Sequence, residues 1–285
     1  MEIKSILKRY EVSGKAPTLN LGFIFIIGIF IMFLLGLLYS CLTTFIPIPY
    51  FNVFVLLGFS YAIAHIGYFL SHTFKIRNKV VSMVITTILA LFATYFQWVF
   101  YIYIISSDNI TPYNDLSYII ELLLDISYLI DIIFELNSVG VWEFDSVTYT
   151  GTSLWLIWLG EVLLTLIFSL KMCNKFELKP FSEKDNQWFY KAKIHTDFEY
   201  IHLKRTFLEG FYNNPVEALT SLEKGNGIRQ STVYIFSSKS QDTFLISIEN
   251  SIVNNKGRKE STEVLEPCFL NRSQLIGIKE KFTIT

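Results

Sequence analysis

The chain of 285 residues is 52% hydrophobic and 16% aromatic but only 17% charged, with a mean hydropathy of +0.41, outside the usual range of a soluble globular domain. Its formal net charge of −1 conceals a polarised distribution, with Lys and Arg confined to the N-terminus, to residues 75 to 79 and to the region after residue 170. Three cysteines, Cys41, Cys173 and Cys268, are far apart and odd in number, which excludes a readable disulfide framework or CxxC metal site.

The N-terminus carries Lys4, Lys8, Arg9 and Lys15. The apolar run after it is too long for a signal-peptide core and has no small-residue cleavage site, so it is expected to stay in the mature protein. About 20 apolar residues cross the roughly 30 Å hydrocarbon core of a bilayer. Four stretches free of Lys and Arg meet that length: 21–43, 51–71, 80–105 and 153–170. Pro47 and Pro49 in "TFIPIPYF" stop a helix, and no charge resists translocation there, so the first two spans read as a helical hairpin. Gly22, Gly28 and Gly36 in the first span, and Gly58, Ala62 and His65 in the second, read as helix-packing faces. Trp98, Tyr101 and Tyr103 on the third span and Trp155 on the fourth have the character of interfacial anchors.

No Lys or Arg occurs between Lys79 and Lys171, where even placement of the 24 basic residues would put about eight. The positive-inside rule therefore sets both flanks of this interval, and the N-terminus, on the cytoplasmic side. An even number of crossings must lie between them, and the third and fourth spans supply two. The acidic stretch 116–137, "LSYIIELLLDISYLIDIIFELN", should then not cross. On a helical wheel Glu121, Asp125, Asp131 and Glu135 fall within about 120°, with Tyr128 among them, so it reads as an amphipathic outer helix that lies on the outer leaflet or re-enters it. Surface helices usually favour cations against anionic lipid, whereas a purely acidic face suits a water-filled vestibule. With Asp108, Asp115, Glu143 and Asp145, this outer segment holds eight carboxylates and no basic residue. Copies around an axis would concentrate cations at its mouth.

The fourth span, "SLWLIWLGEVLLTLIFSL", carries Glu161 near its middle, where an ionised group costs roughly 2.5 to 3.5 kcal/mol on insertion scales. Trp158, Glu161, Thr165 and Ser169 share one helical stripe. One reading makes the stripe pore-lining, with Glu161 a cation-attracting ring or protonatable gate. The other makes Glu161 a neutral packing group hydrogen-bonded to His65, Gln97 or a Tyr.

From residue 171 the composition is that of a soluble domain, with 17 basic and 14 acidic residues. Residues 1–174 are expected to form the transmembrane domain and 175–285 a cytoplasmic domain. Residues 196–214 read as an amphipathic helix. Asn214, Pro215 and Glu217 mark the start of a second, with Gly225 beyond its end. Residues 231–253 alternate as two strands about a polar turn, and "STEVLEPCFL" suggests a third. Ser182 and Asp185, with Ser237 and Ser240, resemble a zinc ribbon at CxxC spacing without its thiolates, which implies no zinc. Lys204, Arg205, Arg229, Lys256, Arg258 and Lys259 are candidates for an anion site or a solvated surface. The chain has no HExxH, GxSxG, P-loop or GxGxxG motif, so no enzyme, metal or cofactor is expected.

The predicted fold is an α-helical integral membrane protein of four transmembrane helices plus an amphipathic outer helix, with a small α+β cytoplasmic C-terminal domain. The function this favours is a homo-oligomeric, cation-conducting channel in a ring of about four or five subunits, gated by the cytoplasmic domain. A membrane-anchored adaptor whose soluble domain binds a protein partner is the alternative, and a proton-coupled carrier using Glu161 and His65 lacks visible repeats. The plan of a compact helical membrane module followed by a small sensor resembles the membrane effectors of bacterial anti-phage defence operons, such as the Hailong type. The likeness is architectural, spans the chain and rests on no motif. It implies the bacterial inner membrane as location, and a nucleotide or oligonucleotide regulator acting on the basic residues of the soluble domain.

Overall fold

The computed structural model describes residues 7–46, 48–106, 115–144, 147–176, 179–254 and 257–284. Lys4, Asp108, Asp145 and Lys256 lie outside the described residues, as do the side chains of Asp115 and Glu143. The chain divides into a helical unit, Gly14–Leu178, and a sheet unit of Lys179–Thr285 together with Met1–Ser13. The N-terminal segment leaves the helical part, because Leu7 is buried in the core of the sheet unit. Hydropathy sees in Lys8 and Arg9 only charge beside a span.

Four helices of the first unit are long and apolar enough to cross a membrane: α1 (Thr18–Phe45), α2 (Pro49–Thr73), α3 (Lys79–Ser106) and, after the acidic region, α6 (Gly151–Lys175). Their starts follow local chemistry. Pro49 occupies the first turn of α2, where its missing N–H costs nothing, and the Asn78 side chain accepts the Val81 amide at 3.1 Å to cap α3. Leu19, Ile26, Phe30 and Leu38 of α1 point outward and exposed, as a helix facing lipid requires.

Glycine decides where two helices meet most closely. A β-carbon on Gly28 would lie 2.6 Å from Leu89 Cδ2, and one on Gly36 2.8 Å from Phe96 Cβ, so α1 lies backbone-close on α3. Gly22 and Gly58 have nothing within 4 Å of that position among the described residues. Ser40 extends the seam by donating its hydroxyl to the Gln97 carbonyl at 2.7 Å.

Between α3 and α6 the acidic stretch forms two helices, α4 (Asp115–Leu124) and α5 (Ile126–Val139), where the periodicity predicts one. A short antiparallel hairpin, β1 (Trp142–Phe144) and β2 (Val147–Tyr149), leads from α5 to α6.

The sheet unit begins with a two-stranded hairpin, β3 (Phe181–Ser182) and β4 (Gln187–Trp188). Its main sheet has the order β5 (Tyr190–Lys193), β7 (Arg229–Ser237), β8 (Phe244–Val253), β9 (Lys259–Leu270), all antiparallel, with β6 (Phe198–Glu199) also on β7. The two strands and polar turn expected at 231–253 are β7 and β8, and the third strand is β9. The helix expected from 196 starts later, as α7 (Lys204–Asn213), because Phe198 is drawn into the core and Asp197 binds Lys193 at 2.9 Å and Thr232 at 2.8 Å. Asn214 caps α8 (Pro215–Thr220) as its sequence predicts, though that helix ends before Gly225. The capping box of Asn271 and Gln274 opens α9 (Arg272–Lys281).

Alternation along the strands builds two cores. Val233, Ile235, Ile246 and Ile248 face Phe211, Leu219, Leu275 and Ile278 of the helices, each large side chain adding roughly 1.5–3 kcal/mol by burial. Phe236 and Leu245 face the other way, onto Phe189 and Tyr10. The N-terminal segment lies along β9, with Phe269 N–H donating to Lys8 O and Tyr10 N–H to Pro267 O, both at 2.8 Å.

Candidate functional site

Three members of the stripe on α6, Trp158, Thr165 and Ser169, are buried inside the helical unit. Trp158 is 7% exposed, set edge-on against Trp98 with ring centroids 4.9 Å apart. Thr165 is buried, and Ser169 donates its hydroxyl to the Ser60 carbonyl of α2 at 3.0 Å. This corrects the expectation of a stripe lining an axis between subunits. Short hydroxyl side chains let α6 approach α2 and bond across the seam, which packs them away rather than exposing them. Glu161, half-buried, lines a cavity of about 10 Å³, the room of about one water. Tyr39, Thr94, Gln97 and Thr165 share its wall, with no Lys, Arg or His. His65 is elsewhere, exposed on α2 beside Tyr61 and Phe176.

The acidic helices run into the helical unit and back out. Tyr118 near the start of α4 touches the far end of α3, its hydroxyl on Ser106 Oγ at 3.3 Å. The Tyr95 hydroxyl donates to the Leu123 carbonyl at the end of α4, at 2.7 Å. The two contacts run in opposite chain directions, so α4 descends antiparallel to α3, advancing about 10 Å from Tyr118 to Asp125. At the bottom the chain leaves helical geometry at Asp125, whose carboxylate accepts the Tyr128 amide at 3.0 Å and caps α5. Helix α5 then climbs antiparallel to α6, with Phe134 against Trp155 at 5.0 Å and Asn137 Nδ2 donating to Gly151 O at 3.0 Å. Leu122 and Leu129 anchor the pair on α3. The outward side carries Glu121, Asp125, Asp131 and Glu135, all exposed, and a groove of about 630 Å³ opens along Ser117, Glu121 and Asp125.

In the sheet unit the candidate ligand residues are gathered only in part. Arg229 opens β7 opposite Ile252, and Lys259 opens β9 opposite Val253, with Arg258 beside it, so these three share one end of the sheet. Arg205 is paired along α7 with Glu209 at 3.1 Å, and Lys204 donates to the Glu263 carbonyl at 3.1 Å. All five described basic residues are exposed.

The two knuckle-like segments do meet. Asp185 Oδ2 accepts both the amide and the hydroxyl of Ser240 at 3.1 Å, and Ser182 Oγ accepts the Asp185 amide at 3.2 Å. The Ser240 amide first, then the Ser240 and Ser182 hydroxyls and the Lys184 charge, hold the Asp185 carboxyl below its ordinary range against the opposing effect of desolvation. Ser237 is taken up by strand pairing instead. Hydrogen bonds stand where a ribbon has metal, and no three potential ligands cluster among the described residues.

A scan against protein-family models, a search of curated proteins and a search of solved structures found no match to this chain. The site therefore rests on its own geometry. Two parts of it escape sequence reading. Tyr95 is the hydroxyl that receives the lower end of α4, yet on a hydropathy plot it is one more aromatic residue in a span. Tyr10 clasps Phe181, accepting its amide at 2.9 Å and donating to its carbonyl at 3.1 Å, a contact between residues 171 positions apart.

Proposed function

We propose that the protein is a homo-oligomeric membrane protein that conducts cations, with the descending and ascending acidic helices lining the outer part of a shared conduit. The observation that carries this is the helix break at Asp125, about 10 Å along α4 from its contact with the far end of α3. Irregular backbone and exposed carboxylates at that depth are tolerated in a bilayer only where protein or water surrounds them. Four spans leave this face uncovered, so water shared with further copies, in a ring of about four or five, is the environment it calls for. Unneutralised carboxylates there raise the local cation concentration.

Orientation follows from charge and from the sheet unit. Lys8, Arg9, Lys15, Lys75, Arg77, Lys79, Lys171 and Lys175 flank the spans on one side, and the acidic helices have no basic neighbours on the other. Residues 8–10 pair with β9, which supports placing both of these segments on one side of a membrane, with an even number of crossings between them. That side is the cytoplasmic face of the bacterial inner membrane in this reading, with the sheet unit as the gate. A phosphate-bearing regulator such as an oligonucleotide would be read at Arg229, Arg258 and Lys259.

The test is flux of K⁺ and Na⁺ from liposomes holding the purified full chain. The Asp125→Asn and Glu121→Gln double variant should lose preference for cations over anions. Wild-type selectivity in that variant, or a monomer by light scattering in detergent, would remove the shared conduit. Impermeable wild-type vesicles would favour the second reading, a membrane-anchored protein-binding domain, which draws support from the self-contained core of the sheet unit.

A further inference from the structure

Beside the acidic helices lies a second cavity of different chemistry. A cleft of about 280 Å³ opens between α3, α5 and α6, walled by Trp98, Ile130, Ile133, Trp155, Trp158 and Val162. Its wall is almost entirely carbon. Water in such a space needs two to four polar partners, which this wall does not offer, and even an engineered apolar cavity of about 150 Å³ stays dry and takes up small hydrocarbons. Left empty, the lining would forfeit its dispersion contacts. The mouth is continuous with the outer face of α6, where Leu156, Leu159 and Leu163 are 64%, 54% and 46% exposed at helical spacing. A molecule entering from that side is the one that covers those leucines.

We infer that the cleft holds one acyl chain of a membrane lipid, inserted from the leucine face of α6 and wedged beneath α5. The inference rests on the reading that the long helices span a bilayer, and not on conduction. It extends that reading by assigning a ligand and a role. The chain packs Ile130 and Ile133 of α5 on one side and the Trp155 and Trp158 rings on the other, so it fixes how far α5 stands from α6. That spacing sets the position of the Asp125 turn. Trp98, Trp158 and Val162 also wall the cavity at Glu161, so the same occupant keeps the glutamate sealed from lipid. Bilayer thickness and chain length thereby act on the acidic helices through a defined seat.

The test uses the full chain in vesicles of phosphatidylcholine containing a fraction of the same lipid with a photoactivatable diazirine in mid-chain, followed by peptide mapping of the adducts. Adducts are expected on outward Phe30 of α1 and also on Trp158, which bulk lipid does not reach. Filling the cleft with Ile133→Phe should abolish the Trp158 adduct and leave that on Phe30. Labelling of Phe30 with none on Trp158, Ile133 or Val162 in the wild type overturns the acyl-chain seat while leaving the bilayer reading intact. So does an unchanged Trp158 adduct in a folded Ile133→Phe variant. Absence of adducts from all four long helices overturns the bilayer reading and the seat together. The wild-type map decides the matter even if Ile133→Phe does not fold.

Discussion

Replacing Gly36 by Ala tests the seam that holds α1 to α3. The added methyl would sit 2.8 Å from Phe96 Cβ, 2.9 Å from Gln97 N and 3.0 Å from the Phe96 carbonyl carbon, where ordinary contact begins at 3.4 Å. None of these atoms can rotate away, so the two helices must part by roughly half an ångström against close-packed neighbours. Overpacking of this kind costs about 1–3 kcal/mol, while Ala in place of Gly inside a helix contributes about 1 kcal/mol in the opposite sense. Gly22→Ala is the matched control, because nothing lies within 4 Å of its new methyl and only the favourable part remains. The two variants should therefore differ by about 1–3 kcal/mol, with Gly22→Ala the more stable. Unfolding of the purified chain in mild detergent by titration with sodium dodecyl sulfate, followed by circular dichroism, measures the difference. Gly36→Ala matching or exceeding Gly22→Ala would refute the backbone-close seam. Because Gln97 also walls the Glu161 cavity, the same displacement should open that cavity to water.

Asp125 separates its two roles by choice of substitution: Asp125→Asn keeps the helix cap and removes the charge, so stability should hold while cation selectivity falls. Asp125→Ala loses both, with a further cost of about 1 kcal/mol in thermal unfolding. Tyr10→Phe removes the hydroxyl that bridges Phe181 and should cost about 0.5–1.5 kcal/mol, with faster hydrogen exchange at the Phe181 amide. The Asp185 carboxyl is held low chiefly by the Ser240 amide, so its bonds are fully formed above its unfolded range and are lost as pH falls through the lowered folded value. The Ser240 amide resonance should be constant from pH 5 to 8 and shift only below about pH 4. Burial pushes the Cys268 thiol up to about 11, and the residue lies under the bridge from Arg9, so maleimide at pH 8 should leave it unmodified until the sheet unit unfolds.

The four long helices were legible because each is a run of apolar residues free of Lys and Arg, a signal set by bilayer thickness. The break at Asp125 was hidden by its own placement. Asp125 falls on the same wheel face as Glu121 and Asp131, so a continuous amphipathic helix and a broken one share a periodicity, and only tertiary contact with Tyr95 and Trp155 distinguishes them. Periodicity places Trp158, Glu161, Thr165 and Ser169 on one face of α6 but does not say whether a polar face meets water or another helix. Ser60 and Gln97, which decide that, lie in other helices. In the sheet unit β7, β8 and β9 are long enough to alternate, whereas β3, β4 and β6 are two residues each and carry no period. The "NRSQ" start of α9 did hold a readable capping signal.

The pairing of residues 8–10 with β9 also governs the order in which this chain can finish folding. The segment is made before its partner, since Cys268 comes 259 positions after Arg9, and the four long helices among the described residues lie between them. Leu7 and the Tyr10 ring therefore find their burial only after synthesis has passed all of these helices, which makes closure of the sheet unit a contact of high sequence separation that forms late.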